Sequence, residues 1–296
     1  VKERASSFPV AACRKIGDYP RRENRFQIRT GSEQKHLGRK IMVLWVRFEE
    51  SGKTGFGTLE GDKIAVHEGD MFDRAKPTGR TVPLGAVKPL TPCTPSKMVC
   101  LWNNFHALAA KFNFKTPEEP LYFLKAQSAF HPAGTPIRRP RGYDGKVLYE
   151  GELGIVIGKR SAGISEAEAP SCIFGYTCVN DVTAFDLLNK DPSFQQWTRA
   201  KSFDTFGVFG PAIATGLDPD KLIVRTILNG DERQNYPVAD MFFRPYRLVS
   251  LISRDLTLMP GDVIACGTSL GAGSMKPGST VEISIDGVGR LVNQFD

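Results

Sequence analysis

The chain has 296 residues, 41% hydrophobic and 10% aromatic, enough for one large core or two smaller ones in a globular protein. Its net charge of +7 resides in residues 1–40, which hold eleven Lys and Arg against four acids, whereas residues 41–296 hold 28 of each sign. A charge-neutral body argues against nucleic acid as a partner, and no run is long and apolar enough to cross a bilayer, which argues against a membrane role.

In chain order, residues 1–40 form a basic leader without the apolar core of a secretory signal. It reads as a poorly packed extension without catalytic duty. Its Arg-rich, acid-poor character also suits an organelle-targeting segment or an arm that touches phosphates. From Met42 come short strands at 42–48, 55–59 and 63–66, separated by Ser51-Gly52 and Glu60-Gly61-Asp62, which predict a small β domain over 41–90. Residues 77–97 carry five prolines and read as a connector. A second, catalytic domain spans 91–296. It opens with a strand at 98–102, then a short helix through Phe112, capped by Asn103 or Asn104 and bearing His106. Pro117 and Pro120 end that helix, and 121–125 is extended. Strands follow at 147–158, 173–178, 222–228, 263–266, 280–285 and 291–295, with helices at 182–189 and near 246–256. The pattern is mainly β with some α (α+β), without the βαβ alternation of a Rossmann fold. Six scattered cysteines (Cys13, Cys93, Cys100, Cys172, Cys178, Cys266) have no metal-binding spacing and read as reduced thiols in a cytoplasmic protein.

The 147–158 strand holds the chemistry. Alternation puts Glu150 and Glu152 on one face with Leu148 and Val156, and turns Tyr149, Leu153, Ile155 and Ile157 towards a core. Two carboxylates on an apolar strand repel each other and resist desolvation, a penalty that a hard divalent cation removes. An isolated Glu-x-Glu more often decorates a solvent-facing edge. This pair has company downstream: Asp181 at a strand end and Lys201 ahead of a Gly/Pro-rich turn.

The stretches Tyr149-Glu-Gly-Glu-Leu153, Gly175 to Ala184, Lys201-Ser-Phe-Asp-Thr-Phe206, Leu258 to Thr268 and Lys276 to Val281 fall in an order that resembles the fumarylacetoacetate hydrolase superfamily. The resemblance covers 42–295. It implies a mixed β-sandwich roll with a small N-terminal β domain, a homodimer, and Mg²⁺ or Mn²⁺ held by Glu150, Glu152 and Asp181. It further implies Lys201 beside the reacting substrate, and Lys125, Gly267 and Thr268 around substrate oxygens. His106 is implied as the base, on a lid over the metal. Two positions depart from the family. Ala109 stands where many members have the glutamate that orients the histidine, leaving Glu118 and Glu119 as the nearest acids. Phe185 replaces an arginine that grips a substrate carboxylate, with Arg199 a substitute.

The resulting expectation is a metal-dependent hydrolase. It cleaves a C–C bond in an acylpyruvate-like or fumarylpyruvate-like diketo acid, as in aromatic-compound catabolism. The alternative is an oxaloacetate-type 2-oxo acid decarboxylase or a keto–enol isomerase on the same metal. A binding protein that has lost catalysis would have shed a metal carboxylate, and all three are present.

Overall fold

Alternating apolar and polar residues at 43–50 and 53–60 make a hairpin whose turn, Ser51-Gly52, has φ of 50° and 78°, the left-handed pair that a tight two-residue turn needs. This hairpin starts the computed structural model's description of the chain, which covers residues 42–296; the basic leader and Cys13 lie outside the described residues. Lys63–Asp70 adds the next strand. The proline-rich connector expected from 77 onward is a strand in its first part. Asp73–Pro83 pairs with Lys63–Asp70 at the rim of the sheet, where Pro77 and Pro83 are tolerated because an edge strand has one free side.

The sheet continues without a break. Val43–Glu50 pairs with Gly207–Thr215, followed by Ile173–Asp181, Gly151–Ile157, Val263–Ala265, Met98–Trp102 and, at the far edge, Leu121–Lys125. A four-stranded sheet runs in the order Asp231–Pro237, Ile223–Leu228, Thr280–Ile285, Gly289–Gln294. A three-stranded one contains Thr183–Ala184, Val147–Tyr149 and Gly273–Met275. The fold is therefore mainly β with a few short helices. The 11-residue helix Pro245–Asp255, with proline in its first turn, buries Leu248, Val249 and Ile252 in the main core.

Gly151–Ile157 is buried along its whole length. Leu153, Ile155 and Ile157 face the main core with Val224 and Ile283, while Val156 joins Met98, Val179, Phe209 and Ile213 on the opposite side. The single strand expected over 147–158 is broken at Glu150. There the chain passes from the small sheet to the large one, and the Glu150 N–H turns to the Asn180 side-chain oxygen at 3.0 Å.

The helix His106–Phe112 begins where expected but is not capped by Asn103 or Asn104. The Asp240 carboxylate accepts its second amide, that of Ala107, at 3.0 Å. Asn104 instead donates to the carbonyls of Phe243 and Cys266 and accepts the Phe243 N–H. The strands Gly207–Thr215 and Asp231–Pro237 and the helix Trp197–Lys201 are additional to the expected elements. Cys93, Cys100, Cys172, Cys178 and Cys266 are free and buried. Among the described residues no helix is long and apolar enough to cross a membrane.

Asp262 ties the two parallel strands behind the Glu152 strand together. Its fully buried carboxylate accepts the N–H groups of Ser96 (2.9 Å), Lys97 (3.1 Å) and Met259 (2.8 Å) and the Ser96 hydroxyl (2.7 Å), and it pairs with the Lys97 ammonium. Asp262→Ala should cost about 3–5 kcal/mol, the range for stripping one member from a buried ion pair, read as a lower urea midpoint with unchanged slope.

Candidate active site

Antiparallel pairing sets Gly151 opposite Asn180 and Glu152 opposite Val179, so Asp181, last residue of its strand, falls beside Glu150. One carboxylate oxygen from each of Glu150, Glu152 and Asp181 lies within 4.8 Å of the other two. Two lysines close on them from separate elements. Lys201 ends the Trp197–Lys201 helix; its Nζ donates to Glu150 Oε2 at 2.7 Å, Asp181 Oδ2 at 2.8 Å and the Asp181 carbonyl at 3.3 Å, which uses all three of its protons. Lys125 ends the edge strand and donates to Asp181 Oδ1 and to the Val182 carbonyl at 3.2 Å. Both lysines are 2% exposed, so these are desolvated charges and not surface pairs.

Phe123 fixes the direction of approach. It shares a strand face with Lys125, stacks on Trp197 at 5.0 Å, and carries the Lys201 ammonium 5.2 Å above its ring. Trp197 and Lys201 are four apart on one helix, so one aromatic ring holds both ends of that helical turn.

Three carboxyl groups face two ammonium groups, and among the described residues Glu152 is the one of the three that pairs with neither lysine. One oxygen accepts the Gly267 N–H at 2.8 Å, while Oε1 is buried without a hydrogen-bond partner. Burial, and then the charge of Asp181, push the Glu152 carboxyl well above the ordinary range. Burial acts on Asp181 in the same direction, but Lys125 and Lys201 outweigh it and hold Asp181 below its usual value. Burial would depress Lys201, yet the Asp181, Glu150 and Glu152 carboxylates raise it above a free lysine. The thiols of Cys100 and Cys266 are raised by burial first, and then by Asp181 at Cys100 and by Glu152 at Cys266, which leaves an all-oxygen donor set. Three convergent carboxylates, one with an unpartnered buried oxygen, fit a hard divalent cation such as Mg²⁺ or Mn²⁺.

Gly267 has φ of 91°, and a Cβ there would come within 3.3 Å of the Leu101 carbonyl; glycine lets its N–H point at Glu152. The Thr268 hydroxyl donates to the Gly151 carbonyl at 3.0 Å and accepts from Gln234 at 2.8 Å. His106 is exposed, its ring 4.0 Å from that of Phe242, and among the described residues no carboxylate hydrogen-bonds to it. Glu118, one of the two acids nearest in sequence, pairs with Lys115 in solvent. Phe185 opens the short helix Phe185–Leu188, half-buried, and Arg199 is exposed on the Lys201 helix.

Several contributors escaped the sequence reading. Thr183 donates to Glu150 Oε1 at 2.7 Å, and its place two residues after Asp181 was the available signal. Gln234 and Tyr236 lie at alternate buried positions of Asp231–Pro237, a strand too polar to be recognised.

The family model described as "Fumarylacetoacetate (FAA) hydrolase C-terminal" matches residues 97–296, and that described as "Rv2993c-like, N-terminal" matches 44–92. Oxaloacetate tautomerase YisK of Bacillus subtilis is 34% identical, over 80% of this chain and 84% of that protein. The crystal structure of 2-hydroxyhepta-2,4-diene-1,7-dioate isomerase from Mycobacterium marinum is similar with a TM-score of 0.78 at 36% identity, over 86% of this chain and 98% of the other. Maleylpyruvate hydrolase from Sphingobium sp. SYK-6, solved with manganese(II) and pyruvate, has a TM-score of 0.68 at 26% identity, over 85% and 98%.

A cation can take the Glu152 carboxylate only after its proton leaves, and that proton is held above the usual carboxylate range. Mn²⁺ affinity measured by calorimetry should therefore keep rising with pH beyond about pH 5, where ordinary carboxylates have finished titrating. Glu152→Gln should flatten this dependence and weaken binding at least about tenfold.

Proposed function

Because the chain belongs to the fumarylacetoacetate hydrolase family of enzymes, we propose that it is a divalent-metal-dependent enzyme acting on a 2-oxo or diketo acid through an enolate. The observation that carries this reading is the buried cluster of Glu150, Glu152 and Asp181 with Lys125 and Lys201, which has one carboxylate oxygen left without a donor. The relatives' names point to the same class. Oxaloacetate is a 2-oxo acid, 2-hydroxyhepta-2,4-diene-1,7-dioate is the enol of one, and maleylpyruvate is a diketo acid.

Glu150, Glu152 and Asp181 would hold Mg²⁺ or Mn²⁺. When bound, that cation supplies a Lewis acid for negative charge developing on the keto oxygen. Lys201 keeps a permanent positive charge at the same place, desolvated and therefore strong, and suited to a substrate carboxylate or enolate. Lys125 fixes Asp181, and Gly267 fixes Glu152, so both act on the substrate through the acids they hold. The Thr268 hydroxyl has its proton on Gly151 and supports the same frame. Every one of these residues comes from 91–296, which we take as the catalytic domain, with 41–90 as its N-terminal β extension. Five buried free thiols suit a reducing, cytoplasmic setting, and we take the working unit to be a homodimer.

The first reaction we assign is hydrolysis of an acylpyruvate-like or fumarylpyruvate-like acid. Water, deprotonated by His106, adds to the distal carbonyl. The C–C bond then breaks to give a carboxylic acid and the enolate of pyruvate, which takes up a proton. A second reading has its own observation. Among the described residues His106 has no carboxylate partner, and tautomerisation or decarboxylation of an oxaloacetate-type acid needs the same enolate stabilisation without an activated water.

Mass spectrometry of products from acetylpyruvate, fumarylpyruvate and oxaloacetate separates these outcomes. Pyruvate with a free acid marks hydrolysis, pyruvate with CO₂ marks decarboxylation, and an unchanged mass with altered enol absorbance marks tautomerisation. His106→Ala should lower hydrolysis about 100-fold or more while leaving enolate chemistry within about tenfold. No turnover of any of the three acids with Mg²⁺ or Mn²⁺ present would sink the assignment.

A further inference from the structure

Glu150 and Glu152 flank a single residue, Gly151, so rotation of either Gly151 peptide moves one carboxylate against the other. That residue is held from both sides, by Thr268 and by two side chains that the metal reading does not use, Gln234 and Tyr236. Its N–H donates to Gln234 Oε1 at 3.0 Å. Its carbonyl accepts the Thr268 hydroxyl at 3.0 Å and the Tyr236 hydroxyl. A Cβ at 151 would sit 2.1 Å from Thr226 Oγ1 and 3.0 Å from Ile283 Cδ1, so the four-stranded sheet presses directly on the backbone between the acids.

Gln234 is 1% exposed and uses both ends of its amide. Oε1 accepts from Gly151 and from the Thr226 hydroxyl at 2.8 Å, while Nε2 donates to Thr268 Oγ1 at 2.8 Å and the Ser269 carbonyl at 3.1 Å. Two donors on one side and three acceptors on the other, the Leu270 carbonyl at 3.4 Å being the third, fix the amide's orientation, and only an amide satisfies both sides. The Ser269 end belongs to the turn whose Gly267 N–H holds Glu152 Oε2. One side chain therefore couples the backbone next to Glu152 with the amide that fixes its carboxylate. Tyr236, two residues on and on the same face of the strand, adds the second hold on the Gly151 carbonyl.

We propose that Gln234 and Tyr236 are positioning residues that set the separation of Glu150 and Glu152 for a divalent cation, acting through Gly151 and touching neither carboxylate. The proposal rests on the metal reading above, and its test reads metal affinity in place of turnover. Gln234→Glu keeps the acceptor facing Gly151 but sets an oxygen against Thr268 and Ser269. In the full chain, Mn²⁺ affinity by calorimetry should fall about 10–100-fold. Tyr236→Phe, which removes one hydrogen bond and no volume, should fall several-fold and guards against misfolding of the first variant. Leu291→Ala, in the same four-stranded sheet, is the control: it should lower the melting temperature by a similar amount with wild-type affinity. Wild-type affinity in both Gln234→Glu and Tyr236→Phe, or an equal loss in Leu291→Ala, would overturn the positioning role. Failure of the wild-type protein to bind Mn²⁺ would overturn the metal reading and the proposal with it.

Discussion

Five ionisable groups, three carboxyls and two lysines, crowd one small and largely buried volume, and the rest of the structure is arranged to make that tolerable. At an effective dielectric of 20, two like charges 4 Å apart repel by about 4 kcal/mol, so three clustered carboxylates without counter-ions would stay protonated or force the site open. Lys125 and Lys201 prevent this for Asp181 and Glu150. They leave Glu152 without a lysine of its own, and burial, then the charge of Asp181, hold its carboxyl above the ordinary range. On the reading proposed above, a divalent cation would meet that need with donors that are already gathered.

Lysine and arginine would not be equivalent here. An ammonium offers three protons from one point, and Lys201 spends them on Glu150, on the Asp181 carboxylate and on the Asp181 carbonyl. A guanidinium of fixed planar geometry would bridge two oxygens of one carboxylate and lie flat across the space between the acids. The Phe123 ring under the Lys201 ammonium and against Trp197 adds an aromatic anchor for the short helix beside the hydrogen bonds of Lys201 itself.

How much of this was visible in the sequence depended on contrast with the surroundings. Glu150, Glu152 and Asp181 are acids within or at the ends of apolar strands and stand out there, whereas Lys125 and Lys201 are marked only by the family resemblance; the structure gathers all five. The core face of Leu153, Ile155 and Ile157 followed from period-two alternation and holds. The break at Glu150 was hidden, because β-branched residues and leucine on both sides read alike whether the strands lie in one sheet or two. Residues 77–83 read as connector because proline argues against strands except at an edge, and an edge is defined by what the rest of the sheet does. Asp231–Pro237 carries no apolar alternation at all. Its buried positions are polar, Gln234 and Tyr236, and burial of polar residues is legible only once their partners are known. The helix cap failed for a similar reason. Asn104 is committed to bonds with Phe243 and Cys266, and an acid 133 residues from Ala107 takes its place.

The two positions that depart from the family pattern, Ala109 and Phe185, are not among the five ionisable groups of the cluster. The acidic cluster itself is over-determined: Asp181 has two lysines, Glu150 has Lys201 and Thr183, and Gly151 has three partners. On the reading proposed above, a site held this way would keep its Lewis acid while water activation and tail recognition drift. The exposed His106, against Phe242 and without a carboxylate partner among the described residues, would then be the place where drift first changes which bond is broken.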